Sequence, residues 1–561
     1  MRTPLQYQVQ EPLPGVVYAP PGDLRRYLDA GLLTRETMAD AFRASFTAHG
    51  PRTALASAEG ELTYEQLDET TDRLAGAWLE LGLRPLDRVV FQIGNCPELV
   101  LGFVACLKAG LIPVCTLAAH REQEIGYLGV HSAARMHFVQ GDDPKFDDVA
   151  FAEQMRGEIP SMKWTVQARG TRRATALHLR EQLEAMPLAR ARELLGQVHI
   201  DPFQVAVFQL SGGTTGVPKV IPRFHNEYIY NMRAVAQFLA YGADDCLFMP
   251  MPMMHNLNMG CCFGPFLLSG GMVAVSTSLT AEAMGQVFQQ YRPTWTAIAG
   301  PILEKLKPAI QSGLLPLDRL RGVISANNAP ALRALLKAPV HHIFGMTEGV
   351  IMLTREDDPQ MVQDTMVGHP VSPMDQVKLF QIGTEEEITE EGVIGECAFA
   401  GPYTIHGYYD AADRNAQTFT SHGFYRSGDL MLFRDIGGVR YWQFCGRTKD
   451  VVDRAGEKVN CEEVELVVSR HPAVTSAGVV GMPDKVYGER ICAFITLADQ
   501  QAAPTVATLG VFLQEQGLAR FKWPERIEVL AELPLTKSGK LSKPLLKQMI
   551  TDKLAAEAAG H

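Results

Sequence analysis

The run Val205-Ala-Val-Phe-Gln-Leu210 passes directly into Ser211-Gly212-Gly213-Thr214-Thr215-Gly216-Val217-Pro218-Lys219. The first segment is apolar and short, as a buried strand is. Three glycines in the second let the backbone approach a ligand closely, with its N–H groups turned inward. Three hydroxyls add donors and the lysine adds positive charge. In chemical terms this is a cradle for a polyphosphate. It is not a Walker loop, because the G-x-x-x-x-G-K-[ST] spacing cannot be laid on it. A surface turn explains a Gly/Ser/Thr cluster by itself, but not the whole nine-residue string behind a strand.

The 561 residues imply several domains or subdomains. A chain 46% hydrophobic and 20% charged is ordinary for a globular enzyme. Its net charge of −11 argues against nucleic acid as the main partner, since that needs a basic face. The ten cysteines form no C-x-x-C pair and no zinc-type spacing, so they read as reduced, mostly buried thiols. Met1-Arg-Thr-Pro-Leu-Gln6 lacks the apolar core of a signal peptide, and a cytoplasmic location is expected. Leu99 to Ala119 is apolar except for Lys108, yet Gly110 and Pro113 interrupt it. It reads as a buried helix over 97–109, a glycine stop and a buried strand over 111–115, not as a membrane span.

Strand-like runs at 88–93, 205–210, 272–276 and 296–299 alternate with helix-length amphipathic stretches. That alternation predicts an α/β fold with largely parallel sheets. The stretches 383–391 and 498–505 read as solvated loops. Near residue 400 the style changes: Gly401–Tyr409 and Gly423–Asp429 are rich in glycine and aromatics, as in short antiparallel strands. Residues 447–561 then read as a compact α+β unit. The expected division is 1–446 for a large N-terminal domain of layered sheets and helices with a small β-rich subdomain, and 447–561 for a small C-terminal domain.

The nine-residue loop resembles the phosphate loop of the adenylate-forming superfamily, which includes acyl-CoA synthetases, luciferases and peptide-synthetase adenylation domains. The resemblance spans nearly the whole chain and implies activation of a carboxylic acid with ATP as acyl-AMP. Charge neutralisation and in-line positioning dominate such a reaction. On this resemblance Ser211, Gly212, Gly213, Thr214, Thr215, Gly216 and Lys219 hold the nucleotide phosphates. Phe344-Gly-Met-Thr-Glu-Gly349 resembles the Thr-Glu motif, with Thr347 on the α-phosphate and Glu348 on Mg²⁺, a cation that prefers carboxylate oxygen. Tyr425-Arg-Ser-Gly-Asp429 resembles the ribose motif, in which Asp429 accepts from both hydroxyls. Gly446-Arg-Thr-Lys-Asp450 supplies a second ribose contact, Arg447, and a hinge, Lys449, about which the small domain turns. Pro534–Lys540 matches the C-terminal lysine motif, with Lys540 bridging the attacking carboxylate and the α-phosphate.

The acid is narrowed by Met254-His255-Asn256-Leu257, which resembles the acyl pocket of the aryl-acid branch, the 2,3-dihydroxybenzoate–AMP and salicylate–AMP ligases of siderophore assembly. His255, Asn256 and Leu257 are then pocket residues, and the Asn256 amide bonds an ortho-hydroxyl and the carboxylate. No aspartate for an α-ammonium group lies nearby. Cys261 and Ile351 stand where dihydroxybenzoate enzymes carry Ser and Val. A thiol and an added methylene shrink and dry the place of a 3-hydroxyl, which favours salicylate, by on the order of 1–3 kcal/mol. Three departures stand against this: Leu257 for an aromatic residue, Asn258-Met259 for a Pro-Leu pair, and Ser325-Ala-Asn-Asn328 for a Gly-Gly-Ala loop.

The implied thiol acceptor is the phosphopantetheine arm of a carrier protein or CoA. The chain ends soon after Lys540, so any carrier is expected to be a separate protein. An aryl-CoA ligase for another substituted benzoate or a heteroaromatic acid is the alternative reading. A non-catalytic adenylate-binding protein is a further one, against which Lys540, Glu348 and Asp429 are all present.

Overall fold

The computed structural model describes residues 7–211, 218–298, 300–326, 329–454, 457–484, 487–498, 501–536 and 541–559. Gly212 to Gly216, Asn327, Asn328 and Lys540 lie outside the described residues.

The chain divides into two compact units, Met1–Gln376 with Phe399–Tyr425, and Val377–Ala398 with Arg426–His561. The boundary expected at 446 lies inside the second unit, which also takes in much of the β-rich segment before it.

The first unit holds two sheets of the expected α/β kind. In one, the strands Leu177–His178, Trp164–Gln167, Met136–Val139, Arg88–Gln92, Ile112–Val114 and Val205–Ser211 lie side by side in parallel. Lys219–Phe224 then adds antiparallel to Val205–Ser211, with Ser211 opposite Lys219. The strands on either side of residues 212–217 are therefore held in register. The other sheet has nine strands, and its centre, from Thr53–Ser57 to Val340–Met346, is parallel. Gly349–Leu353 pairs antiparallel with Val340–Met346, so Thr347 and Glu348 form the turn between them. One apolar core joins the sheets through the helices Tyr64–Glu80, Pro97–Lys108 and His225–Phe238, with Trp78, Phe103 and Tyr228 fully buried.

The interrupted apolar run folds as its punctuation predicts. Pro97 opens a helix ending at Lys108, and Ala109 caps it. Gly110 follows at φ +69, a conformation that a side chain resists. Ile112–Val114 is the strand beyond. Lys108 is wholly buried and donates to Asp68 at 2.5 Å and Asp72 at 2.7 Å. The one charge in the run thus ties two helices together, since a buried ammonium needs paired carboxylates. Among the described residues no helix is long and apolar enough to cross a membrane.

The strand Tyr425–Ile436, in the second unit from Arg426 onward, and Val439–Arg447 form a long antiparallel pair at one side of a five-stranded sheet. A further sheet of Glu457–Asn460, Val451–Arg454, Gly488–Leu497 and Val474–Asp484, with Arg526–Val529 beside Gly488–Leu497, packs on the helices Cys461–Val468 and Val506–Glu515. Two expectations are corrected here. Residues 401–409 are not strands: their backbone donors go to scattered partners, Ile405 to the Glu348 carbonyl and Tyr409 to that of Val220, both within 3.0 Å. The stretch 383–391 is not wholly loop, since Glu387–Ile388 pairs with Gln376–Phe380.

Candidate active site

The turn that carries Glu348 is built by close approach. Gly349 sits at φ +142, and a Cβ there would lie 2.8 Å from the Thr404 backbone. Glu348 is buried, 4% exposed, and its Oε1 accepts from Ser211 Oγ at 3.1 Å and Tyr408 Oη at 2.8 Å. Lys219 Nζ stands 4.0 Å from the same oxygen and donates to Tyr408 Oη at 3.1 Å. The Tyr425 hydroxyl is 2.9 Å from that of Tyr408. Burial, reinforced by the Glu348 charge, holds the Tyr408 phenol far above its ordinary range, so it stays a neutral donor. Ser211 and Lys219, from the two paired strands, therefore converge on the Glu348 carboxylate.

No cluster of three or more His, Cys, Asp or Glu that would hold a metal occurs among the described residues. A single buried carboxylate beside Ser211, Lys219 and Tyr408 nevertheless suits Mg²⁺, which is held by one or two carboxylates together with substrate phosphates. The donor set fits a cation that arrives with the nucleotide.

The second group of residues centres on Arg223, 1% exposed at the end of its strand. Its guanidinium forks onto Glu227, Nε to Oε1 at 2.9 Å and Nη2 to Oε2 at 2.8 Å. Glu227 also accepts from the Phe224 N–H at 2.8 Å, which starts the helix His225–Phe238. Arg223 further donates to Asn231 Oδ1, to Asn256 Oδ1 at 2.9 Å and to the Thr347 carbonyl at 3.3 Å. Tyr228 Oη donates to the same Asn256 oxygen at 2.8 Å. Guanidinium is a donor and never an acceptor, so the Asn256 amide is oriented: its oxygen is used twice and its NH₂ is the group left to offer.

Asn256, 6% exposed, lies on the short turn of helix Asn256–Asn258. Cys261 falls in a π-helical turn, Met259–Phe263, and burial beside the Arg223 network leaves its thiol raised to about 12. Ile351, on Gly349–Leu353, is buried in the same apolar cluster as Cys261. Leu257 is half-buried and packs on that cluster. His255 is exposed and caps the turn, its Nδ1 accepting from the Leu257 N–H at 3.3 Å. Ser325 is buried, but Asn327 and Asn328, the core of the loop departure, are outside the described residues.

In the second unit Asp429 and Arg447 face each other across the antiparallel pair. Asp429 is buried, and Arg447 Nε lies 3.2 Å from its Oδ1 with the arginine side chain 47% exposed. Gly428 at φ +70 and a bond from Thr448 Oγ1 to its carbonyl at 3.0 Å shape that corner. Lys449 is exposed on the 3₁₀ turn Thr448–Asp450. Lys543, beyond the catalytic-lysine motif, pairs with Glu465 at 2.9 Å.

The sequence reading passed over Glu227, Tyr228, Asn231 and Tyr408 as site residues. Arg223 and Glu227 are four apart with opposite charge, which was the available signal for that pair. Nothing local marked Tyr408.

Comparison with known proteins matches residues 42–409 to the AMP-binding enzyme family and 463–540 to the AMP-binding enzyme C-terminal domain. The chain is 34% identical to the 2,3-dihydroxybenzoate-AMP ligase of Bacillus subtilis, over 94% of this chain and 96% of the relative. It is 33% identical to a salicylyl-CoA synthase / salicylate adenylyltransferase of a Streptomyces species, again over 94% and 96%. Among solved structures, apo MbtA of Mycobacterium smegmatis superposes with a TM-score of 0.71 at 29% identity, covering 95% of this chain and 98% of that one. The chain belongs to the AMP-binding enzyme family, in the aryl-acid branch of its adenylate-forming ligases.

Proposed function

We propose that this ligase activates an aryl acid bearing an ortho-hydroxyl, with salicylate preferred, and passes the acyl group to a phosphopantetheine thiol of a carrier protein or of CoA. The observation that carries the substrate class is the oriented amide of Asn256. With its oxygen occupied by Arg223 and Tyr228, it presents N–H donors. A carboxylate and a neighbouring ortho-oxygen are acceptors that such an amide can hold. Related enzymes are named for salicylate and for 2,3-dihydroxybenzoate, and the buried Cys261 and Ile351 favour the smaller, drier ring of salicylate.

In the first half-reaction the acid's carboxylate oxygen bonds to the α-phosphorus as the bond to pyrophosphate breaks. Thr347 is assigned to the α-phosphate and Lys219, with Ser211 and the glycines 212, 213 and 216 and Thr214 and Thr215, to the leaving phosphates. Mg²⁺, when bound with ATP, neutralises those phosphates, and Glu348 is the residue to hold it. Ser211 and Tyr408 keep the Glu348 carboxylate aimed by hydrogen bonds. Asp429 and Arg447 are assigned to the ribose, Lys540 to the carboxylate–phosphate bridge, and Lys449 to a swivel between a 1–446 and a 447–561 domain for thioester formation.

The test is acid-dependent pyrophosphate exchange over benzoate, salicylate, 2,3-dihydroxybenzoate, anthranilate and amino acids. Salicylate should give the highest kcat/KM, and Asn256→Leu should erase its advantage over benzoate. A wild type indifferent to salicylate, or an Asn256→Leu enzyme that still prefers it, sinks the ortho-hydroxyl reading.

A further inference from the structure

A cavity of about 300 Å³ lies where the N-terminal segment 8–33 meets residues 203–227 and 402–406 of the same unit, with the backbone of Thr404 and Ile405 against the Glu348 turn. Its walls are largely apolar, with Tyr27, Leu33, Phe203, Phe224 and Ile405 among them. The volume is at the small end of ligand sites and suits one ring with a short substituent. Two wall residues stand out. Asn226 is 2% exposed and its Nδ2 has no hydrogen-bond partner among the described residues. Thr404 is 8% exposed and its Oγ1 is likewise unpartnered. By contrast, the Tyr18 hydroxyl at the rim is satisfied, donating to Gln204 at 2.6 Å. The Asn226 oxygen is also used, by the Glu227 N–H at 2.8 Å. Buried polar groups are nearly always paired, so two orphans on one cavity wall point to a ligand that completes them.

The charge of that ligand follows from the lining. Among the described residues neither lysine nor arginine lines the cavity, and Glu227, which does, has its carboxylate held by Arg223. Burial holds His406 below the ordinary histidine range, which leaves it uncharged near neutral pH. An anion entering these apolar walls would meet no lining cation to offset the loss of its hydration. We propose that this cavity is a second ligand site, for a neutral one-ring aromatic carrying a hydrogen-bond acceptor next to a donor: the acceptor takes the Asn226 amide N–H and the donor reaches Thr404 Oγ1. The site differs from the acyl pocket in both position and charge preference. Glu227 belongs to both, and its oxygens are held by Arg223 and the Phe224 N–H.

Isothermal titration of the full chain with benzamide tests this, with benzoate as the anionic control. Four variants are compared: Asn226→Leu and Thr404→Val, which remove the polar atoms at nearly constant volume, Leu33→Trp, which fills the cavity, and Asn256→Leu, which alters the acyl pocket. Thermal melts check that each is folded. Saturable benzamide binding should persist in Asn256→Leu, weaken about tenfold in each of Asn226→Leu and Thr404→Val, as the loss of one well-placed hydrogen bond does, and vanish in Leu33→Trp. Benzoate binding should be indifferent to the cavity variants. Benzamide binding that is lost in Asn256→Leu instead overturns the proposal. So does binding untouched by Asn226→Leu and Thr404→Val, or no saturable binding at all, which would mean that water alone completes the two polar groups.

Discussion

Two arginines of this protein sit in opposite surroundings. Arg223 is 1% exposed, forks onto Glu227 at 2.8 and 2.9 Å, and serves Asn231, Asn256 and Thr347 besides. Arg447 is 47% exposed and makes one looser pair with Asp429 at 3.2 Å. The difference separates two jobs. A group that must orient another side chain is buried and has every donor used, because a half-satisfied buried charge is costly. Arg447, proposed to meet a nucleotide, keeps much of its side chain open to solvent. The proposed substrate selection would thus rest on a rigid network in the first unit, and the proposed ribose and lysine chemistry on residues of the second.

The largest expected effect tests the second of these. Lys540→Ala should abolish acyl-AMP formation, a loss of at least roughly 10²–10³-fold, the scale for one electrostatic group at a reacting centre. Melting temperature and ATP binding should stay nearly unchanged. Ordinary adenylation by the variant would mean that the charge at the α-phosphate is met by another residue.

The next prediction sets the two arginines directly against each other. Arg223→Met leaves the Glu227 carboxylate buried without its partner and should lower stability by about 3–5 kcal/mol. Arg447→Met removes a half-exposed pair and should cost less than about 1 kcal/mol, while raising the KM for ATP. Denaturant melts and ATP titrations of both variants decide it. Equal stability losses would erase the distinction between orienting and contacting arginines.

The comparison also explains what could be read in the sequence. Local features were legible because local rules produce them: the strand at Val205, the glycine stop at Gly110, and the order of the motifs. The Arg223 network was not, because its partners lie 33 and 124 residues away at Asn256 and Thr347. Only the topology, which sets the Lys219–Phe224 strand at the end of one sheet and the Thr347 turn at the end of another strand pair, brings them together. Tyr408 was hidden for a related reason. Glycine- and aromatic-rich chain suggested short strands over 401–409, but the segment spends its backbone hydrogen bonds on Glu348 and Val220 and so aims Tyr408 at the carboxylate. The exposure of His255 was equally unreadable, since capping its own turn and entering a pocket have the same sequence signature.

Burial without a counter-charge gives a third, smaller test. His137 is fully buried, bonds Gln92 Oε1 at 3.0 Å, and is held neutral, its pKa lowered to about 3 by burial. Unfolded, it titrates near 6.5. Between those values the unfolded chain binds a proton that the folded one refuses, so this residue's contribution to stability falls as pH falls through that window. Asp148 and Asp375, raised by burial to about 6 and about 7, act in the opposite direction. Subtraction isolates the histidine: the stability difference between wild type and His137→Gln should change by about 1.4 kcal/mol per pH unit between pH 6 and 4. A flat difference would mean that His137 takes up its proton in the folded state, unlike the paired Arg223.

The finest test asks whether the proposed acyl pocket beside the rigid network leaves any freedom in the ring. Asn256 is fixed by Arg223 and Tyr228, so ring substitution must be judged by the neighbours that are not charged. Cys261 and Ile351 are 2% and 4% exposed, within one apolar cluster. The Cys261 thiol stays protonated, its pKa raised to about 12 by burial, and a thiol is a weak hydrogen-bond partner. Cys261→Ser supplies a better partner for an incoming 3-hydroxyl, and Ile351→Val removes one methylene from its path. Each change is small because no charge is unpaired by it, in contrast to Arg223→Met. Together they should shift relative kcat/KM from salicylate toward 2,3-dihydroxybenzoate by about tenfold, the scale of one methylene and one hydrogen bond. Competition between the two acids in pyrophosphate exchange measures the ratio without needing absolute rates. An unchanged ratio in a variant whose melting temperature is normal would show that these two side chains do not face the ring, and that selection among hydroxylated benzoates lies with Asn256 and its donors alone.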